Sequence, residues 1–272
     1  MTKERRPISE MHADMDPHNK EKYFAGSPYL DLEKYIGYPG QRARRHIVIA
    51  GARGDHRRMF DIIRRALDFS KDVLILAGNW LGPESSSVSM LNQVFCLCQE
   101  IPTHVFPLIG AYEYFYGARV GGRAITTGGL EDVYEQFEVR QREWLNTLPG
   151  VVRVRTRGTY RTSSIVVTTS GLEPWRQVTR PKRAGTAFVR YVSSETGDMV
   201  NVAHGQPKPS NAVFWTEMYA GRSKVIYGTP EFPDNKVVVS QAQFARCTAV
   251  DTMRGPNPIL TAYVVESGEV IQ

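Results

Sequence analysis

Long apolar runs, cysteine and an excess of one charge are all scarce in this 272-residue chain, and each scarcity excludes a class of protein. No apolar stretch approaches the roughly 20 residues that a membrane-spanning helix needs. The opening MTKERRPISE lacks the apolar core of a secretory signal, and its acids are foreign to a mitochondrial presequence. Three Cys cannot build a disulfide framework at this length, so a reducing compartment or no redox role is expected. Cys96 and Cys98 fall two apart in a helical pattern and are expected in the core. Lys+Arg number 34 against 28 Asp+Glu, a net charge of +6. Residues 1–45 hold 9 bases and 7 acids (+2), leaving 25 and 21 (+4) for the remainder, so there is no basic tail. This even spread makes nucleic acid a less favoured partner than protein.

What is present is an ordinary globular composition, 42% hydrophobic, sufficient for a sizeable core. Nine of the 34 bases are Lys and therefore 25 are Arg, a bias compatible with contact surfaces, because guanidinium groups make bidentate contacts to carboxylate and phosphate. Residues 1–45 are polar, carry Pro7, Pro17, Pro28 and Pro39, and show no sustained period. They read as an extended arm. Either a partner holds it, or it lies on its own domain with Tyr23, Tyr29, Leu30, Tyr35 and Ile36 in surface grooves.

From Arg45 onward strands, loops and helices alternate. His46–Ala50 reads as a buried strand, Gly51–Gly54 as a turn, and Asp55 as the N-cap of a helix over Arg57–Phe69. Asp72–Ala77 is a second strand, followed by the loop Gly78–Pro83 and a helix from Ser85–Ser87 to Glu100; His104–Ile109 is a third, followed by the loop Gly110–Gly117. Near-continuous apolar strands of this kind belong to a mostly parallel sheet with helices on its faces. Ligands bind such sheets at the strand C-termini. After Gly121, Gly122, Gly128 and Gly129 comes one helix over Leu130–Leu148. Strands follow at Val151–Arg155, Ser164–Thr169, Lys224–Tyr227, Lys236–Ser240, Thr248–Asp251 and Ile259–Val265, with a helix or turn near Ala212–Ala220. Glu173–Ser210 carries no readable pattern. One domain over residues 46–272 with an arm over residues 1–45 is expected.

Five segments stand in order at the strand ends: IAGARGD (Ile49–Asp55), LAGNWLGPE (Leu76–Glu84), LIGAYEY (Leu108–Tyr114), TTSGLEP (Thr168–Pro174) and IYGTPEF (Ile226–Phe232). FWTE at Phe214–Glu217 and VDT at Val250–Thr252 accompany them. In order and spacing the chain resembles the calcineurin-like metallophosphoesterases, especially the phosphoprotein phosphatase branch with its small phage and bacterial members. Their loops read GDxHG, GDxxDRG, GNHE, VHAG and GH. The resemblance implies an α/β fold, a metallophosphoesterase-like β-sandwich of mixed sheets flanked by helices. It also implies a site for two metal ions bridged by an Asp and a hydroxide.

Residue by residue, this chain departs from that pattern. The first-loop Asp and His fall on Gly51 and Arg53; the second-loop Asp, Asp and Arg fall on Asn79, Gly82 and Pro83. The third-loop Asn and His fall on Ala111 and Tyr112, with Glu113 retained, and the two later His fall on Thr169 and Thr229. Neutral side chains do not hold hard cations against water, and a guanidinium repels them. The expectation is a pseudo-phosphatase with no metal or other cofactor, serving as a structural or interaction subunit. The phage-type resemblance suggests a virion, so a cytoplasmic or virion-associated location follows, with protein partners and the arm as tether. An active metal-dependent phosphoesterase is the alternative.

Other candidates keep two readings. Asp55, His56 and Glu113, with His204 nearby, either rebuild a single-metal site, or Asp55 caps a helix, His56 lies exposed and Glu113 pairs with Arg53 or another Arg. Arg53, Arg57 and Arg58 near a helix start either bind a phosphate or acidic group or form a solvated face. Trp80, Trp144, Trp175 and Trp215 read as packing residues. Trp80 with Tyr112, Tyr114, Phe115 and Tyr116 is also a candidate interface.

Overall fold

The computed structural model describes residues 28–32, 45–118, 130–157, 162–174, 178–179, 181–202, 207–229, 236–253 and 258–272. Trp175, His204, the four connecting glycines Gly121, Gly122, Gly128 and Gly129, and most of the arm lie outside them. Valine and isoleucine runs form β2 (Arg45–Ile49) and β3 (Asp72–Leu76), which pair in parallel, with β4 (Val105–Pro107) parallel on the far side of β3. The last strands, β13 (Ala262–Val264) and β14 (Val270–Ile271), close this sheet in the order β14-β13-β2-β3-β4. β13 runs antiparallel to β2, so the sheet is mixed. Between the parallel strands lie α1 (His56–Ala66) and α2 (Ser86–Glu100), which bury Met59, Ile62 and Ile63 and Met90, Leu91 and Val94 on the outer face.

A second sheet stacks on the other face. It contains β1 (Tyr29–Asp31), β5 (Val151–Arg157), β6 (Thr162–Thr168), β10 (Lys224–Tyr227), β11 (Val238–Gln241) and β12 (Arg246–Ala249), in the order β1-β5-β6-β10-β12-β11. Val48, Ile75 and Phe106 of the first sheet meet Val152, Ile165, Val167 and Ile226 of the second in one apolar layer. Alternate residues of β2 and β3, such as Ile47 and Leu74, face the helices instead. Both faces of each strand are thus buried, which is why the sequence runs are continuous rather than alternating.

Several elements differ from the sequence expectation. Gly110–Gly117 is not a loop: α3 (Ala111–Ala118) begins at once, because Glu113 accepts the N–H of Gly110 and Tyr116 packs on Phe137 with ring centroids 5.0 Å apart. The helix expected over Leu130–Leu148 is two, α4 (Leu130–Glu135) and α5 (Val139–Leu145). A capping box at Glu138 and Gln141 restarts the helix. Within Glu173–Ser210 lie α6 (Arg183–Phe188), β7 (Tyr191–Ser193) and β8 (Met199–Val200). β7 and β8 form a small sheet with β9 (Ala212–Phe214), where a helix or turn was expected; the helix α7 (Trp215–Met218) follows it. Short strands of two or three residues offer too little alternation to show a period. Cys96 is exposed and Cys98 only half-buried, so α2 turns neither fully into the core as expected, whereas Cys247 is buried.

Part of the arm segment is sheet. Tyr29–Asp31 pairs in parallel with Val151–Arg153, Leu30 and Leu32 join the apolar layer, and Asp31 lies 3.7 Å from both Arg153 and Arg155. Among the described residues no helix is long and apolar enough to cross a membrane.

Candidate functional site

The C-terminal ends of β2, β3, β4, β6, β10 and β12 bring the six segments that follow them to one edge. The first two loops continue the β2–β3 pairing: Gly51, Arg53 and Gly54 donate their N–H groups to the carbonyls of Gly78, Asn79 and Trp80 at 3.2, 2.9 and 2.8 Å. To do so while turning, both loops enter the left-handed region, Gly51 at φ 70°, Arg53 at 48°, Gly78 at 70° and Asn79 at 48°. Left-handed backbone costs a non-glycine residue roughly 1–2 kcal/mol. Arg53 and Asn79 therefore hold strained conformations that neighbouring contacts must enforce.

Those contacts are protein to protein. The Arg53 guanidinium donates through Nη2 to Oδ2 of Asp251 at 2.6 Å and through Nη1 to the carbonyl of Met253. Asp251 is nearly inaccessible, and its Oδ1 also accepts the N–H of Met253 at 3.1 Å. Asn79 Oδ1 accepts the N–H of Ala111 at 2.9 Å, and Thr169 Oγ1 donates to the carbonyl of Ile109 at 2.6 Å. Thr229 reaches the carbonyl of Thr169 at 3.4 Å. Glu113, fully buried, accepts the N–H groups of Leu81 at 2.7 Å, Gly110 at 2.7 Å and Asn79 at 3.0 Å. Burial pushes its carboxyl up to about 7, with the three N–H bonds opposing that rise.

Space is taken up as well. A side chain begun at Gly51 would place its Cβ 2.2 Å from Oδ1 of Asp251, and one at Gly78 would meet Thr169 at 2.2 Å. At Gly82 the carbonyl of Arg53 lies 2.4 Å from the Cβ position. The donor set the family would need fails on both chemistry and room. The oxygens of Asn79, Thr169 and Glu113 are engaged in hydrogen bonds, and a guanidinium stands at one of the positions where the resemblance puts a ligand. Among the described residues no group of three or more His, Cys, Asp or Glu could hold a metal ion. The residues present do not fit a two-cation centre.

The other sequence candidates are dispersed. Asp55 caps α1 through the N–H of Arg58 at 3.0 Å, and His56 lies half-buried in the first turn. Glu113 does not pair with Arg53 as the expectation had it: three backbone donors surround Glu113, and Asp251 takes the guanidinium. Of the three arginines, Arg58 reaches Asp55 at 3.4 Å and the carbonyl of Pro258 at 3.5 Å, while Arg57 is exposed. The aromatic set divides. Trp80 and Tyr116 are core residues, Trp80 donating to the carbonyl of Leu108 at 3.1 Å and Tyr116 to that of Gly82 at 2.8 Å. Tyr112, Tyr114 and Phe115 are half-buried, and Tyr114 and Phe115 pack on Phe188 at 5.2 and 5.4 Å. Sequence reasoning passed over Asp251 as a site residue. Its signal was an acid directly after an apolar strand on the edge where the other loops converge.

Solved structures of known proteins share the architecture of this chain. A solved structure described as a putative diadenosine tetraphosphatase superposes with a TM-score of 0.64 at 16% identity, covering 89% of this chain and 96% of its own. A protein serine/threonine phosphatase from Saccharomyces cerevisiae superposes at 0.52 and 12% identity, covering 93% and 88%. A cold-active protein-tyrosine phosphatase from a psychrophilic Shewanella does so at 0.52 and 8%, covering 89% and 78%. The fold is that of the metallophosphoesterases. No protein-family profile and no curated protein sequence matches the chain. On the metallophosphoesterase fold the edge just described is where the family resemblance implies catalysis, and here it is closed by Arg53, Asp251, Asn79, Glu113 and Thr169.

Proposed function

We propose that this chain is a non-catalytic member of the phosphoesterase fold that serves as a structural or interaction subunit of a larger protein assembly, a virion being the form the phage-type resemblance suggests. The observation that carries this reading is the Arg53–Asp251 pair, a 2.6 Å contact between a guanidinium and a buried carboxylate at the place of a metal ligand. A permanent cation held there by its own counter-ion leaves no role for a divalent ion and no hydroxide to attack phosphorus. The half-buried Tyr112, Tyr114 and Phe115 beside this edge supply aromatic surface of the type enriched at protein interfaces. Phosphate binding at residues 53–58 is less well supported, since Arg53 and Arg58 already have carboxylate partners.

The test is metal analysis of purified protein after incubation with Mn²⁺, together with hydrolysis of p-nitrophenyl phosphate in the same buffer. Far less than one ion per chain and no turnover above the buffer rate are expected. A stoichiometric ion with Mn²⁺-dependent turnover would overturn the reading. For the assembly role, removal of residues 1–27 leaves β1 in place and is expected to abolish co-purification with partners; unchanged co-purification counts against the arm as tether.

A further inference from the structure

The end of the sandwich opposite the edge loops holds a cavity of about 170 Å³ between the two sheets. Two of its lining residues are bases, Lys224 and Arg246, which open β10 and β12. These strands are parallel neighbours with Val225 opposite Cys247, so Lys224 and Arg246 stand side by side, about 4.8 Å apart at the backbone. Their direction follows from alternation. Val225 and Cys247 face the outer layer with Phe214 and Trp215, whereas Ile226 faces the apolar layer between the sheets. Lys224 and Arg246 therefore project toward the inter-sheet side.

Like charges side by side on one face of a sheet repel. Among the described residues neither base has an ion-pair or hydrogen-bond partner. The lining does include one carboxylate, Glu266, but its Oε1 lies 2.6 Å from Nδ1 of the buried His46 and its Oε2 accepts the His46 N–H at 3.0 Å. Both oxygens are turned to β2 and not to the bases. The remaining walls are mixed: Ile165, Val225, Ile226, Val239 and Val265 are aliphatic, while Thr248, Tyr263 and Ser267 bring hydroxyl groups.

We propose that this cavity is a binding site for a small phosphate monoester with a compact apolar body. An Arg fork beside a Lys point charge matches the oxygens of a phosphate dianion. Two cations select a dianion over a monoanion, the hydroxyl groups of Thr248, Tyr263 and Ser267 offer further donors to its oxygens, and the aliphatic part of the wall takes the attached group. The volume, below the range of about 300–1,000 Å³ typical of drug-sized pockets, restricts that group to roughly a single ring. The site is about four residues of strand from the edge loops, roughly 13 Å, and is independent of whether those loops are catalytic.

The test is titration calorimetry on the full chain without added metal, with phenyl phosphate as ligand and benzoate as the monoanion control. Phenyl phosphate is expected to saturate with a Kd near or below about 1 mM, and benzoate to bind at least about tenfold more weakly. Lys224→Gln with Arg246→Gln is expected to weaken phenyl phosphate by about 100-fold, roughly tenfold per charge, while Lys224→Arg retains binding. Both bases are exposed, and circular dichroism with an unchanged melting temperature checks that the double variant is folded. Arg57→Ala, at the opposite edge, is expected to leave affinity unchanged. No saturation up to roughly 10 mM, undiminished affinity in the double variant, or loss of affinity in Arg57→Ala would each overturn the proposal.

Discussion

Arg53→Ala is expected to cost about 3–5 kcal/mol of folding stability, the range for removing one partner of a buried ion pair. The magnitude rests on an asymmetry in the pair: the Asp251 side chain is 1% exposed and that of Arg53 is 29% exposed. Removing the guanidinium leaves a carboxylate buried without its counter-charge. Removing the carboxylate, as in Asp251→Ala, leaves a guanidinium that already reaches water, and roughly 1–3 kcal/mol is expected. The double variant is expected to be less destabilised than the sum of the singles by about 1–3 kcal/mol, the coupling of residues in direct contact. The backbone adds a control. Arg53 sits at φ 48°, where glycine is unstrained, so Arg53→Gly is expected to be about 1 kcal/mol less harmful than Arg53→Ala. Urea unfolding at neutral pH, followed by circular dichroism and tryptophan fluorescence, measures all four variants through their midpoints at constant slope. A loss under about 1 kcal/mol in Arg53→Ala, or strict additivity in the cycle, would refute the view that this pair closes the edge.

Two further outcomes concern the same loops and a third the strand β1. Burial raises the Glu113 carboxyl from 4.5 to about 7, so the folded state holds more protons than the unfolded chain between those values. Its contribution is therefore full below pH 4.5 and is lost as pH rises through 7, amounting to about 3 kcal/mol. Glu113→Gln, less stable overall because its amide nitrogen faces backbone donors, is expected to lack that slope, and an equal slope in both proteins would contradict the assignment. Placing an acid where the resemblance puts one, through Gly51→Asp, is expected to destabilise by at least about 3 kcal/mol, from left-handed strain and overpacking against Asp251, without recruiting Mn²⁺; metal analysis and a melting curve decide it. Leu30→Ala is expected to cost about 2–4 kcal/mol, measured by urea unfolding, because Leu30 is buried between the sheets; a neutral result would mean that β1 adds nothing to the domain.

The strands that carry the edge were readable because both their faces are buried. His46–Ala50 and Asp72–Ala77 left near-continuous apolar runs, and the loops after them kept the family's glycine spacing. Elements whose stability comes from contacts distant in sequence were not readable. Tyr29–Asp31 is a three-residue segment that becomes a strand only because the β5 edge offers partners about 120 residues away. α3 looked like an open loop because its helix start depends on Glu113 gathering the N–H groups of Asn79 and Leu81 from the loop after β3 together with that of Gly110. A single-sequence period has no access to such pairings.

The sequence by itself determined that Gly51, Arg53, Asn79, Ala111, Thr169 and Thr229 stand where the resemblance would put metal ligands, and hence that the charge pattern the resemblance implies is missing. Which groups replaced it was decided only by the tertiary structure. Arg53 and Asp251 lie 198 residues apart, and no local rule joins them; the parallel strands bring their C-termini to one edge, where a guanidinium and a buried carboxylate meet. The same topology sets Lys224 beside Arg246 at the other end. Charge is a property of residues, but whether a charge is paired is a property of the fold.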